Sequence, residues 1–294
     1  MSLLGLFIAS GWGLTFVLIK NSVSSLSPLS FVSLRFSVAA VVLGLLFLGK
    51  ILQGAFTGES RIRVSGRDFL SSALVGSFLF LGYWLQSTGL KSVSASQAGF
   101  IMGLAPVLVP FLGIPLLGIR LSPRAGLGMA FVMLGLPLLT LESDLVPTRG
   151  TLYCLASSFA FAAHVISMQY FLRKIPVLVL TFFQILATAL LSGAMLWGVE
   201  PESWSQIPGV IQSREVLFAV LFCGVGATAL GTWIQCYLQQ KLSLVKCALI
   251  FSTEPVFGAL FGFLFLGEWM SGAQWLGAAL VFLGVLEGEL GWFL

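Results

Sequence analysis

Charge is what this sequence lacks most. Only 9% of its 294 residues are Asp, Glu, Lys or Arg, against about 25% in an ordinary soluble domain. So few charges cannot clothe a water-facing globule of this size, whereas a lipid-facing surface needs no such cover. Histidine is reduced to His164 and aspartate to Asp68 and Asp144, both of which lie between apolar runs. These shortages exclude an HExxH metal site and a pair of intramembrane aspartates. A GxSxG elbow and a phosphate-binding loop are missing too, so no cofactor or metal and no ATP-driven step is expected. The four cysteines, Cys154, Cys223, Cys236 and Cys247, fall inside apolar runs without metal-ligand spacing and read as small buried hydrophobes. The formal charge of +4 comes from bases scattered over connectors. With no basic helix face and no aromatic module, no nucleic-acid partner is expected.

What the chain has is apolar length: 58% of it is hydrophobic and its mean hydropathy is +1.03. A bilayer core takes about 20 apolar residues per helix. Ten windows qualify: 2–20, 28–49, 69–89, 93–118, 123–141, 150–169, 176–199, 215–239, 243–266 and 272–291. The first lacks a basic leader and a small-residue cleavage site and is expected to be a retained helix rather than a signal peptide. Connectors alternate between two faces. The face shared by both termini carries Lys50, Arg61, Arg63, Arg67, Arg120, Arg124, Arg173, Lys174, Lys241 and Lys246; the other carries Lys20, Lys91, Arg149 and Arg214. This imbalance places both termini in the cytoplasm, in an inner (plasma) membrane.

Shifted by 149 residues, the chain meets itself. Residues 82–135 match 231–284 at 17 of 54 ungapped positions, where skewed composition alone would give roughly 10%. Tyr83-Trp84-Leu85-Gln86 falls on Thr232-Trp233-Ile234-Gln235, and Pro106-Val107 falls on Pro255-Val256. Each copy holds five windows. Five is odd, so the second copy enters the membrane upside down. The expectation is an all-α integral membrane protein of ten transmembrane helices in two inverted five-helix repeats, residues 1–141 and 150–291. Secondary transporters use this plan, with the substrate near the midplane between the halves.

Two charges fall inside windows, Arg35 in the second and Glu254 in the ninth. Neither would persist against lipid. Glu254 reads either as a proton-titrating or cation-contacting group or as a hydrogen-bonded structural carboxyl. Arg35 reads either as an anchor for a substrate carboxylate or as a tie to backbone carbonyls. His164, in the sixth window, is a second coupling candidate because histidine ordinarily titrates near neutrality; the alternative is a satisfied hydrogen-bonding group. Pro106 and Pro255 are expected to kink the fourth and ninth windows and to free the carbonyls of Met102 and Phe251. Gln86 and Tyr83, Gln97 and Ser94, Gln184, Gln235 with Thr228, and Trp12 complete a set that would line a polar cavity with aromatic walls. Singly, each reads equally as an interhelical hydrogen bond. Gly128/Gly135 and Gly277/Gly284 mark matching stripes, either for close helix packing or for a homodimer face.

Segment Thr253-Glu254-Pro255-Val256-Phe257-Gly258, continuing to Phe265-Leu266-Gly267-Glu268, Gln274, Gly277 and Leu283-Gly284, resembles the closing signature of EamA-type repeats. GWGLTFVLIK with Pro28 and Leu34-Arg35-Phe36 resembles its opening, and Ala105-Pro106-Val107 through Gly118 its first-half counterpart. The chain is thus similar to the drug/metabolite transporter superfamily along nearly its whole length. That resemblance implies ten helices, a central cavity and a small-molecule substrate such as an amino acid or nucleoside-like solute, moved by alternating access as an exporter or facilitator. A proton-coupled drug or metabolite exporter is the alternative, and a membrane-embedded enzyme or a scaffold is a more distant one. The first half has Ile119 where the second has Glu268, and the first window has no acidic residue; both departures count against drug/proton antiport.

Overall fold

Hydrocarbon offers the backbone no hydrogen-bond partner, so a chain this apolar must satisfy its own amides, and helices do this within each segment. The computed structural model describes residues 1–57, 64–93, 95–139, 148–210, 212–267 and 269–290. Arg61, Arg63, Ser94, Asp144 and Glu268 lie outside these residues, as do 140–147 and 291, where the expected repeat boundaries fall. All regular structure among the described residues is helical. The helices are α1 (Ser2–Ser22), α2 (Pro28–Thr57), α3 (Gly66–Leu90), α4 (Ala95–Met102), α5 (Leu104–Leu117), α6 (Pro123–Leu138), α7 (Arg149–Phe171), α8 (Val177–Val199), α9 (Ser203–Val210) and α10 (Arg214–Leu221). A π segment (Phe222–Leu230) follows, then α11 (Gly231–Lys241), α12 (Leu244–Phe251), α13 (Glu254–Leu266) and α14 (Gly272–Leu290).

Among the described residues, eight helical segments are long and apolar enough to cross a membrane, and there are two shorter apolar helices, Pro123–Leu138 and Gly272–Gly288. Large apolar side chains stay bare around the molecule, among them Leu3, Leu70, Leu134 and Trp197. Water would not tolerate a surface of that kind, and lipid solvates it. The molecule is a multi-pass membrane protein.

Local sequence sets the helix ends. Ser65 and Asp68 form a reciprocal capping box at the start of α3, and Ser271 and Gln274 form one at the start of α14. Ser122 caps α6, with Pro123 in its first turn. Helices α5 and α13 both end on left-handed glycines, Gly118 at φ 64° and Gly267 at φ 68°, a conformation that favours glycine.

Three of the ten expected windows are interrupted. The fourth breaks at Gly103, between α4 and α5, and the ninth at Ser252–Thr253, between α12 and α13. Pro106 and Pro255 therefore sit in the first turn of a new helix, where a missing N–H costs little, rather than inside one bent helix. The breaks are stitched by hydroxyls: Ser158 donates to the Ile101 carbonyl (2.6 Å), Ser252 to Leu249 (2.6 Å) and Thr253 to Ile250 (2.7 Å). The eighth window carries the π segment.

Helix α1 lies along α13, and α7 along α5. Helix α3 packs on α7 and α8, and α2 on α8 and the π segment. Helices α6 and α14 pack most extensively on each other, and their glycines meet in pairs. A Cβ on Gly135 would lie 2.6 Å from the Gly277 carbonyl oxygen and one on Gly277 would lie 2.6 Å from that of Gly135; Gly128 and Gly284 meet the same way at 2.5 Å. The glycine stripes are thus used within one chain.

Candidate functional site

The two helix breaks pack against each other, Pro255 against Gly103, and a cavity of about 90 Å³ lies beside them, lined by Met102 and Ala105 from one break and by Phe251 and Glu254 from the other. Helices α1, α3, α5, α7, α11 and α12 supply its walls, and α4 and α13 contribute Met102 and Glu254 beside the breaks. Six of the side chains singled out from the sequence line it: Trp12, Tyr83, Gln86, His164, Gln235 and Glu254. Pro106 lines it as well. Pro255 does not; it packs at the break between α4 and α5, where its Cγ would lie 2.7 Å from a Cβ on Gly103.

Two predicted residues stand one layer back and hold cavity residues in place. Arg35 is fully buried. Its Nε donates to Thr228 Oγ1, its Nη2 donates to the Tyr83 hydroxyl at 3.3 Å, and the guanidinium lies 4.2 Å from the Tyr83 ring centre. Its Nη1 has no partner. Gln184 accepts a hydrogen bond from His164 Nε2 at 2.8 Å, and its own amide donates to Cys236 Sγ at 3.4 Å. The bond to a carbonyl-type oxygen fixes the proton on His164 Nε2, so that nitrogen forms no dyad with a carboxylate. Gln97, half-buried on α4, is not part of the lining.

Trp12 is held most firmly. Its indole N–H donates to the Ala227 carbonyl of the π segment at 2.8 Å, and its ring lies 5.1 Å from that of Phe251. A Cβ on Gly231 would lie 3.0 Å from the indole nitrogen, so the bare glycine makes room for the ring. Gly82 does the same for Phe161, at 2.8 Å, and Phe161 meets Tyr83 edge-on at 4.9 Å. Glu254 stands in the first turn of α13, where the helix dipole favours negative charge. Its carboxyl group makes no ion pair with Arg35, which turns to Thr228 and Tyr83. Gln86 is 3% exposed, and its Oε1 has no partner.

The side chains of Thr15, Met102, Phe161, Thr232 and Phe251 also line the cavity, and the sequence reading assigned none of them to it. An aromatic or a threonine inside an apolar run gives no signal alone. The 149-residue offset does give one, because it carries Trp12 to Phe161, Thr15 to His164, Tyr83 to Thr232, Gln86 to Gln235, Met102 to Phe251 and Ala105 to Glu254. All twelve line the cavity. The same offset carries Arg35 to Gln184.

The two ends of the molecule differ. Lys20, at the end of α1, donates to the carbonyls of Leu90 (2.8 Å) and Val93 (2.7 Å) and ties down the corner after α3. The positions 149 residues on are Gln169, Gln239 and Leu242. There the Gln169 Oε1 and both amide atoms of Gln239 have no partner, and a polar opening of about 410 Å³ includes all three residues with Arg173.

The model of the EamA-like transporter family matches residues 1–141 and again 148–286. An uncharacterized transporter of Archaeoglobus fulgidus is 28% identical over 95% of this chain and 82% of its own length. The uncharacterized transporter YyaM of Bacillus subtilis is 26% identical over 94% of this chain and 89% of its own. A protein crystal structure aligns with 98% of this chain and 96% of its own at 21% identity and a TM-score of 0.76, a likeness of fold.

Proposed function

Because the chain belongs to the EamA-like transporter family, a family of membrane transporters, we propose that it is a secondary carrier that binds a small metabolite in the central cavity and moves it by alternating access. Amino acids and nucleoside-like solutes are the first classes to test, with export or facilitated diffusion as the direction. The carrier has ten spans in two inverted halves, 1–141 and 150–291, and sits in the inner (plasma) membrane with both termini in the cytoplasm.

One observation carries this reading: the cavity is walled by six residue pairs, each related by the same 149-residue offset. A site built twice from one motif lies on the axis between two copies. Inversion is supported by the reciprocal glycine contacts of α6 and α14. It is supported also at the start of α7, where a Cβ on Gly150 would lie 2.8 Å from Ser92, next to the corner that Lys20 ties at the end of α1. The π segment absorbs one extra residue. Before it, Gly76 and Gly224 lie 148 residues apart, and each faces a main-chain carbonyl, of Gln184 and Arg35 respectively.

Two inverted halves have two equivalent arrangements, one open to each side. Lys20 closes one end, while its counterpart corner at Gln169 and Gln239 is left unlatched. This is the asymmetry expected of one arrangement caught. Trp12, Tyr83, Gln86 and Gln235 contact the substrate, with Arg35 and Gln184 positioning Tyr83 and His164. Glu254 and His164 are the groups available for proton coupling. The exporter coupled to protons is the second reading, favoured by a cavity carboxylate without an ion pair. Purified protein in liposomes, assayed for uptake and counterflow over a metabolite panel, tests the proposal. Saturable flux of at least one solute is expected, and its absence for every solute contradicts a carrier.

A further inference from the structure

The cavity has hydrogen-bonding groups partly committed to the protein itself. Its ring donors are spent on the protein: the Trp12 N–H on the Ala227 carbonyl and the His164 Nε2–H on Gln184. An acceptor is left over, the Gln86 Oε1, on a side chain 3% exposed. Glu254 brings the acidic group to the wall, and no Lys or Arg among the described residues lines the cavity. Arg35 stands one layer further back. It lies behind Tyr83, turned to Thr228 and the Tyr83 ring and hydroxyl. The remaining walls are aromatic: Trp12 against Phe251 and Tyr83 against Phe161. Aromatic faces are negative at their centres and attract cations, and a buried carboxylate without a paired base asks for the same partner.

We infer that the cavity selects a small organic monocation, an ammonium carrying a short apolar body and no carboxylate, with Glu254 and the Gln86 carbonyl taking its N–H groups and Trp12 and Phe251 its apolar part. This rests on the carrier reading for its biological meaning and narrows it. A free carboxylate on the ligand would meet Glu254 and no wall cation. A neutral alcohol of the same shape would leave Glu254 unpaired. Short-chain probes suit a cavity of about 90 Å³.

The test uses four near-isosteric probes on the purified full chain at about neutral pH: n-butylammonium, 1-butanol, butyrate and 4-aminobutyrate. Thermal unfolding is followed as each is titrated, since a ligand that binds only the folded state raises the melting temperature with dose. Butylammonium is expected to stabilise the protein, and the other three to leave it unchanged. Glu254→Gln is expected to weaken apparent butylammonium affinity by about tenfold or more, and Glu254→Asp, which keeps the charge, by only a few-fold. The inference is overturned if butyrate or 4-aminobutyrate stabilises as well as the amine, if butylammonium has no effect, or if it acts equally on Glu254→Gln. Should that variant fail to fold, the contrast between the amine and its isosteres on the native chain decides. Flux is read separately. Stabilisation by butylammonium without transport of any solute overturns the carrier and leaves the ligand class standing. Saturable transport of butyrate overturns the class and leaves the carrier standing.

Discussion

Replacing Gly135 by alanine places a methyl 2.6 Å from the Gly277 carbonyl oxygen and 3.0 Å from the Leu280 Cβ. A comfortable carbon–oxygen approach is about 3.4 Å, so α6 and α14 must part by ~0.8 Å or slide. Overpacking of this kind costs about 1–3 kcal/mol. Against it stands the helix-propensity gain of alanine over glycine, about 0.5–1 kcal/mol. The overlap is with main chain on a facing helix and cannot rotate away, so the cost falls in the upper part of its range and the net destabilisation is about 1–2 kcal/mol. Gly277→Ala meets the mirror contact at the same 2.6 Å and should cost the same. Gly49→Ala, in helix α2 with nothing within 4 Å, keeps only the propensity term and should stabilise by about 0.5 kcal/mol or more. Reversible unfolding in mixed micelles, followed by circular dichroism, measures all three. The reasoning fails if Gly135→Ala is neutral, or if it and Gly277→Ala differ by more than about 1 kcal/mol.

Two further outcomes follow. Trp12→Phe removes the indole N–H from the Ala227 carbonyl and should destabilise by about 1 kcal/mol, in the range of interhelical bonds in membranes; the same unfolding assay, with Phe251→Leu as an aromatic-packing control, checks it. Lys20→Met releases the Leu90 and Val93 carbonyls, and amide exchange over residues 88–93 should quicken while exchange in α14 stays at the native rate, as read by mass spectrometry.

Much of this architecture is legible in the residues. The internal match marks Gln86, Gln235, Pro106 and Pro255, and the intramembrane position of Glu254 marks it as facing inward. What the sequence hides is depth. Arg35 and Gln184 look like cavity residues from their polarity, yet α2 and α8 pack so that each side chain reaches a neighbour, Tyr83 or His164, before it reaches the open space. Proline foretells a disturbed helix without saying whether it bends or stops; Gly103 and the pair Ser252–Thr253, with hydroxyls satisfying the loose carbonyls, decide for stopping. The π segment, FCGVGATAL, has no periodicity of its own. It forms where Gly224 is pressed against the Arg35 carbonyl and Val38, a tertiary contact that no local pattern encodes.

Thr15 lines the cavity from α1, is 3% exposed and sits opposite His164 in the internal match. In a chain with Cys154, Cys223, Cys236 and Cys247 replaced, Thr15→Cys can be exposed to a membrane-impermeant thiol reagent from one side of sealed vesicles or the other while transport is running. Modification from both sides, slowed by a transported solute, is the predicted result. A transport-active protein whose Cys at this position reacts from a single side, or from neither, would contradict a central cavity that opens to each face in turn.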